Sequence, residues 1–242
     1  MKIISLNMWS GHVGKPLFDF INSCREIDIF CFQEVYYNAE RKISTDDKEV
    51  NLNLFSELQL LLPNHQGLFR PVVDNIYGIC MFVNKKIKII GEGEVNIYNN
   101  PNYIGNGPTH SRNLQWLDFC YGDKNYFIMN IHGLWNGMGK TDTVIRINQA
   151  NIIKNFMKTI NKPKVICGDF NLRPDTKSIE IIGEGMKDLI DLYKIKSTRT
   201  KFYEKDEKFA DYIFISPEII VNDFKVLSDE VSDHAPLYLD FI

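Results

Sequence analysis

Lys164-Val165-Ile166-Cys167-Gly168-Asp169-Phe170-Asn171 reads as a short buried strand that ends on a glycine and then presents a carboxylate and an amide. An apolar run of this length, followed at once by turn residues, suits a strand covered on both faces. Gly168 supplies backbone angles that other residues resist, so Asp169 and Asn171 can form a turn there. The same arrangement recurs along the chain. Asn7 follows Ile3-Ile4-Ser5-Leu6, Glu34 follows the run from Ile27 to Gln33, and His132 follows Phe127-Ile128-Met129-Asn130-Ile131. Asp211 opens the run Tyr212-Ile213-Phe214-Ile215, and Ser232-Asp233-His234-Ala235-Pro236 precedes the last one.

Working outward, residues 2–8 and 27–33 read as buried strands, and Leu17, Phe20, Ile21 and Cys24 mark a helix over 15–25. A charged loop runs from Tyr36 to Asn51. Leu52, Phe55, Leu58, Leu61 and Leu62 mark a helix stopped by Pro63. Residues 76–83 and 87–97 read as strands joined in a hairpin by Asn84-Lys85-Lys86. Pro, Gly and Asn make 99–108 a loop, and 114–121 and 126–131 form a second hairpin turned by Gly122-Asp123. Ile147, Ala150, Ile153, Met157 and Ile160 give a long amphipathic helix capped by Thr141 or Asp142. Short helices follow over 176–193, then strands at 211–216, 224–227 and 236–241. Hairpins mixed with strand–helix units exclude a purely parallel doubly wound sheet, and two packed mixed sheets with helices outside fit better.

The 242 residues, 44% hydrophobic, suffice for one domain over 1–242, and no linker-like run divides them. A net charge of -3 argues against non-specific grip on duplex DNA, while leaving room for a local basic cleft. Five cysteines without CxxC spacing suggest buried reduced thiols rather than a disulfide framework. Met1 to Asn7 is too short an apolar run for a signal peptide, and no stretch reaches the ~18 apolar residues of a membrane helix. The expectation is a cytoplasmic monomer with no obligate protein partner and no transmembrane segment.

Carboxylates and amides at several strand ends, joined by histidine, suit a magnesium-dependent attack on a phosphate ester. Each signal alone has an ordinary reading. Glu34 can be a surface carboxylate opening a loop, Asn7 can cap a turn, and a lone histidine is more often structural. Recurrence favours the shared site. Asp211 is placed to receive the His234 imidazole N–H and fix its tautomer. His132 is a second strand-end imidazole for phosphate oxygens, whereas His12, His65 and His110 sit in loop-like context.

These motifs together resemble the endonuclease/exonuclease/phosphatase (DNase I-like) superfamily. They are Ile3 to Asn7, Phe32-Gln33-Glu34, Asn130-Ile131-His132, Gly168 to Asn171, Asp211-Tyr212 and Ser232-Asp233-His234. The resemblance implies a four-layer α/β/β/α sandwich of two mixed sheets flanked by helices, with the site at one edge. It implies phosphoester hydrolysis with Mg²⁺, or Mn²⁺ in its place. By the same resemblance Glu34, Asn7 and Asp233 are metal ligands, and Asp169 and Asn171 position water and phosphate. His234 is then the catalytic histidine, Asp211 its orienting partner and His132 the second histidine. The sequence does not decide whether Asp169 or His234 takes the proton from water.

Subfamily marks divide. Tyr36 stands where AP endonucleases place a lysine, and Gln33-Glu34-Val35 is closer to deadenylases and tyrosyl-DNA phosphodiesterases. Gly168 to Arg173 leans toward the latter, while Asn7-Met8-Trp9 looks like the sphingomyelinase form. The expected substrate is a phosphoester in nucleic acid, cut by a nuclease or end-processing enzyme. The rivals are a small-molecule phosphatase or sphingomyelinase-like phospholipase C, and an inactive binding module, which would need a core residue replaced. Lys140, in the glycine-containing loop before the long helix, Arg112 and Arg173 are candidates for substrate phosphates, as is Arg146 unless it lies on the helix surface. Trp9, Tyr36, Tyr103 and Trp135 fall beside the motifs, either to stack on bases or to pack the edge.

Overall fold

The computed structural model describes residues 1–40, 42, 49–105 and 107–242. The parts of the expected loops at 41, 43–48 and 106 lie outside the described residues. The first sheet contains β1 (Lys2–Asn7), β2 (Ile29–Tyr36), β3 (His65–Val73), β4 (Tyr77–Asn84), β11 (Val221–Val226) and β12 (Leu237–Phe241). Their order across the sheet is β11-β12-β1-β2-β4-β3. The second sheet contains β5 (Lys88–Tyr98), β6 (Arg112–Tyr121), β7 (Lys124–His132), β8 (Lys164–Asp169), β9 (Lys187–Asp188) and β10 (Asp211–Ile215). Its order is β5-β6-β7-β8-β10-β9.

Period-two alternation sorts the strand residues into two cores. Ile3, Ile29, Cys31 and Met81 face the second sheet, in the same core as Leu117, Met129 and Ile166. Their alternates Ile4, Leu6, Phe30 and Phe32 face outward. There they meet Leu17, Phe20 and Ile21 of α1 (Lys15–Ser23) and Leu54, Phe55 and Leu58 of α2 (Leu54–Leu61). Ala150, Ile153 and Met157 of α3 (Val144–Lys158) cover the far side of the second sheet. Ile179 and Ile182 of α4 (Lys177–Gly183) and Leu189 and Ile190 of α5 (Leu189–Leu192) join them. Helix, sheet, sheet and helix are therefore stacked as the motifs imply.

Across the inner interface lies a polar clamp. Gln33 Nε2 donates to Asn130 Oδ1 at 2.7 Å, and Asn130 Nδ2 donates to the carbonyls of Phe32 and Cys80, each at 3.1 Å. Both side chains are fully buried, so these bonds specify how one sheet sits on the other.

Several local expectations change. Asn84-Lys85-Lys86 is a turn, with Ile87 N–H donating to Asn84 C=O at 2.9 Å, but it carries the chain between the two sheets instead of closing a hairpin. The partner of β4 is β3, a strand that the sequence reading leaves unassigned and that contains Gly67 and Pro71. Gly67 is needed there, since a Cβ would lie 2.8 Å from the Phe55 ring. Tyr36 ends β2 rather than opening a loop. The cap of α3 is Thr143, whose side chain accepts from Arg146 N–H. Asp142 instead accepts from the backbone N–H groups of Lys177 and Ser178 at the start of α4.

Candidate active site

The ends of β1, β2, β7 and β8 meet at one edge of the sandwich. In the second sheet, register alone lines up three site residues, because Asp169 pairs with His132 on one side and with Asp211 on the other. Gly168 makes the approach possible. Its φ is +136°, and a Cβ there would lie 2.1 Å from the Ile131 carbonyl oxygen. Asn171 follows at φ +55°, held by its backbone N–H donating to Asp169 Oδ1 at 2.8 Å.

In the first sheet, Glu34 sits in a bulge. Phe32 pairs with Cys80 and Val35 with Gly78, so Gln33 and Glu34 together oppose Ile79. Glu34 takes φ +57°, a strained angle for a carboxylate residue, and the extra residue aims its side chain toward the second sheet. Asn7 Nδ2 donates to Glu34 Oε1 at 2.9 Å and to Asp169 Oδ2 at 3.0 Å. Its Oδ1 accepts from Trp9 N–H at 3.0 Å. Asn7 thus ties together one carboxylate from each sheet.

His132 Nε2 lies 3.6 Å from Glu34 Oε1 and 3.8 Å from Asp169 Oδ2. Ligand atoms of Glu34, His132 and Asp169 all fall within 4.8 Å of one another, and those of Asp169, Asp211 and His234 form a second such group. His234 Nδ1 is 2.8 Å from both Asp211 oxygens, which turns Nε2 to within 3.6 Å of Asp169 Oδ2. Asp233 does face the same side as its neighbour, with Oδ1 at 3.8 Å from His234 Nε2. The backbone bend needed for this is fastened by an isolated bridge between Arg199 and His234 and by Ala235 N–H donating to Thr198 C=O.

The electrostatics follow from burial. Desolvation raises the Glu34 carboxyl above its usual range against the opposing bond from Asn7. Burial would also raise Asp169, but His234, Lys140, His132 and Arg199 outweigh it and keep that carboxyl below its usual range. His132 is held well below the ordinary imidazole value by burial and then by Arg112. Burial would lower His234 as well, yet Asp211 prevails and raises it.

Of the candidate phosphate contacts, Lys140 is inside the site, with Nζ donating to Asn171 Oδ1 at 2.8 Å. Arg112 lines the same cavity of about 490 Å³. Arg173 does not reach it and pairs with Asp175 at 2.8 Å on the surface. Arg146 is neither a surface residue nor a wall of that cavity. It is wholly buried and donates to the carbonyls of Leu134, Gly139 and Thr141, fixing the loop that carries Trp135 and Lys140. All four flagged aromatics, Trp9, Tyr36, Tyr103 and Trp135, line the cavity. So does His110, while His12 stacks on Trp9 with centroids 4.5 Å apart and His65 binds the Ile27 carbonyl.

Sequence reasoning misses Arg199, whose Nη1 donates to Asp233 Oδ2 at 3.1 Å while its guanidinium lies 3.9 Å from the Tyr203 ring centre. It also misses Thr198, which donates to Asp211 at 3.0 Å. Both stand in a polar stretch without periodicity, and their partners are distant in sequence, so no local signal marks them.

The Glu34 and Asp169 carboxylates, one from each sheet, with the His132 imidazole beside them, form a set suited to a divalent cation. The burial that raises Glu34 is a cost that a bound cation would offset.

Residues 4–234 match the model of the Endonuclease/Exonuclease/phosphatase family. No curated protein sequence matches. Among solved structures, the chain is similar to a mannosyl-6-phosphatase from Bacteroides thetaiotaomicron, at 18% identity and a TM-score of 0.79, covering 100% of this chain and 99% of that one. Truncated TDP2 from Caenorhabditis elegans matches at 17% identity and a TM-score of 0.68, covering 100% and 96%. The human Nocturnin catalytic domain with a bound sulfate matches at 17% identity and 0.67, covering 100% and 93%. At these identities the structural likeness concerns the fold.

Proposed function

Because the chain belongs to the endonuclease/exonuclease/phosphatase family, we propose that it is a Mg²⁺-dependent phosphoesterase that processes nucleic-acid ends. The observation that carries this reading is the convergence of Glu34, His132 and Asp169 within 4.8 Å, with Asp211 and His234 grouped on the same Asp169. Glu34 and Asp169 would hold the cation, with Asn7 and Asp233 beside them, and Mn²⁺ would serve in its place. A divalent cation there supplies charge that offsets the phosphate oxygens and the developing alkoxide.

The remaining work falls to the protein. Asp211 takes the Nδ1–H of His234 and favours its charged form, so that Nε2 also carries a proton toward the cavity and can donate to a phosphate oxygen. Asp169 stays ionised and orients the attacking water opposite the leaving oxygen. Water forms the new P–O bond as the ester P–O bond breaks, and the proton that water gives up passes to a site base and, through solvent, to the departing alkoxide, so that no net proton is gained or lost. Lys140 holds Asn171 so that its Nδ2, which donates to Gly133 C=O at 3.2 Å, stays fixed at the turn.

End processing is favoured over cutting within a duplex by a cavity of about 490 Å³, walled by aromatic rings that suit one nucleoside-sized group. The chain's net charge of -3 also favours a second reading, a phosphatase of small molecules. We take the protein to act as one domain and one chain. Among the described residues, no helix is long and apolar enough to cross a membrane. The test is a panel of single- and double-stranded DNA, RNA, 5′-tyrosyl DNA, sphingomyelin, inositol phosphates and sugar phosphates, with Mg²⁺ or Mn²⁺. Turnover that disappears in Glu34→Ala is expected. Equal turnover by that variant would overturn the reading.

A further inference from the structure

We propose that Arg112 anchors a subsite for the fully ionised oxygens of a terminal phosphate, so that the cavity selects phosphate monoesters over diesters. This rests on the phosphoesterase reading and narrows its substrate class.

Arg112 opens β6 and is only 3% exposed. Its Nη2 donates to the Pro108 carbonyl at 3.2 Å, but among the described residues Nε and Nη1 have no hydrogen-bond partner. Three N–H groups on a buried cation are thus left unused while the residue lines the cavity. Among the described residues no carboxylate is bonded to it, and Glu34 and Asp169 favour its charge only across space. The His110 ring lies edge-on to Tyr77 and Tyr103, with centroids 5.4 and 5.8 Å away. Burial and then the Arg112 charge hold His110 down to about 3, so that imidazole stays neutral. A buried guanidinium without a bonded carboxylate carries a desolvation penalty. An anion entering the cavity removes that penalty.

A second cation lining the cavity repeats the pattern. Lys140 is also 3% exposed, and its Nζ donates to the amide oxygen of Asn171, a neutral acceptor. Arg199, by contrast, is already paired with Asp233. With a divalent cation bound, the carboxylates of Glu34 and Asp169 would balance it, which would leave Arg112 and Lys140 as positive charges lining the cavity. A diester carries one negative charge on its phosphate, whereas an ionised monoester carries two. The monoester is the better match, and Arg112 is the residue free to bind its additional unesterified oxygen.

The test compares p-nitrophenyl phosphate with bis(p-nitrophenyl) phosphate, which share a leaving group and differ in ester count. Wild type should prefer the monoester. Arg112→Met should lose about 10²-fold or more in kcat/KM on it, and under about fivefold on the diester. Arg112→Lys should recover part of the loss. Thermal melts should find Arg112→Met no less stable than wild type, because the change removes a buried uncompensated charge. Independently, inorganic phosphate binding to the metal-free protein, measured by calorimetry, should weaken at least about tenfold in Arg112→Met. Equal losses on both esters, a wild-type preference for the diester, or phosphate binding that is absent or unchanged by the substitution would overturn the proposal. If wild type hydrolyses neither these esters nor the wider panel with Mg²⁺ or Mn²⁺, the phosphoesterase reading falls. The calorimetric result then still decides whether Arg112 binds phosphate.

Discussion

Asp211 holds both carboxylate oxygens 2.8 Å from Nδ1 of His234. The pair joins β10 to the loop before β12, and so joins the two sheets. Asp211 also overrides the burial that would lower the imidazole. Removing its charge in Asp211→Asn lets burial prevail, and the His234 pKa falls. The pH–rate limb that follows His234 should move to lower pH, with kcat reduced at least about tenfold. A pH profile unchanged by the substitution would show that the pair plays no part in turnover.

His234→Ala should lose about 10²–10⁴-fold in kcat, the range for a positioned acid or base. Steady-state rates with Mg²⁺ test this, and near-normal turnover would remove His234 from the mechanism.

Asn130→Ala breaks the clamp between the sheets. It strips the bonds from the Phe32 and Cys80 carbonyls and takes the Gln33 amide away from its 2.7 Å acceptor. Leaving such groups buried costs ~1–3 kcal/mol each, so the variant should lose roughly 2–4 kcal/mol. Urea denaturation with an unchanged slope reads this directly. A loss below about 0.5 kcal/mol would mean that the clamp contributes little.

Asp188 caps α5 by accepting from Ile190 N–H at 2.8 Å, and burial lifts its carboxyl from 3.8 to about 6 despite that bond. The folded state therefore binds the proton more tightly than the unfolded state. The associated stability is present below pH 3.8 and is lost as pH rises through about 6. Asp188→Asn keeps an accepting oxygen for the cap and removes the titration. Allowing for its partial exposure, the variant should be more stable than wild type by roughly 1 kcal/mol at pH 7, with the gain vanishing near pH 4. Paired melts at the two pH values check the sign. A gain that is the same at both would contradict it.

Gly168→Ala places a methyl group 2.1 Å from the Ile131 oxygen at φ +136°. Neither strand can yield without moving His132 or Asp169. The variant should lose several kcal/mol, or fail to fold, and any folded fraction should be inactive. A stable, active Gly168→Ala protein would show that the close approach of β7 and β8 is dispensable.

The parts of the architecture that periodicity and strand ends control were legible in the sequence. Ile3-Ile4-Ser5-Leu6 and Val165-Ile166-Cys167 read as buried strands because both faces of each sheet are covered. The residues that end those strands meet because parallel β1 and β2, and parallel β7 and β8, deliver their ends to one edge. What local pattern does not encode is which strands pair. The 84–86 turn looks like a hairpin because any tight polar turn between strands does, and only tertiary packing sends β5 to the other sheet. Arg146 looks like a solvated helix residue until the loop carbonyls it satisfies are known. The bulge at Glu34 was likewise hidden, since a one-residue excess appears only in the pairing with β4.

In the proposed reaction Glu34 and Asp169, one from each sheet, hold a divalent cation between them. Mn²⁺ binding followed by electron paramagnetic resonance tests it without any assumption about substrate. Wild type should bind Mn²⁺ in competition with Mg²⁺, and Glu34→Ala should bind its tightest ion at least about tenfold more weakly while keeping its fold. Equal Mn²⁺ affinity in the two proteins would show that Glu34 holds no cation.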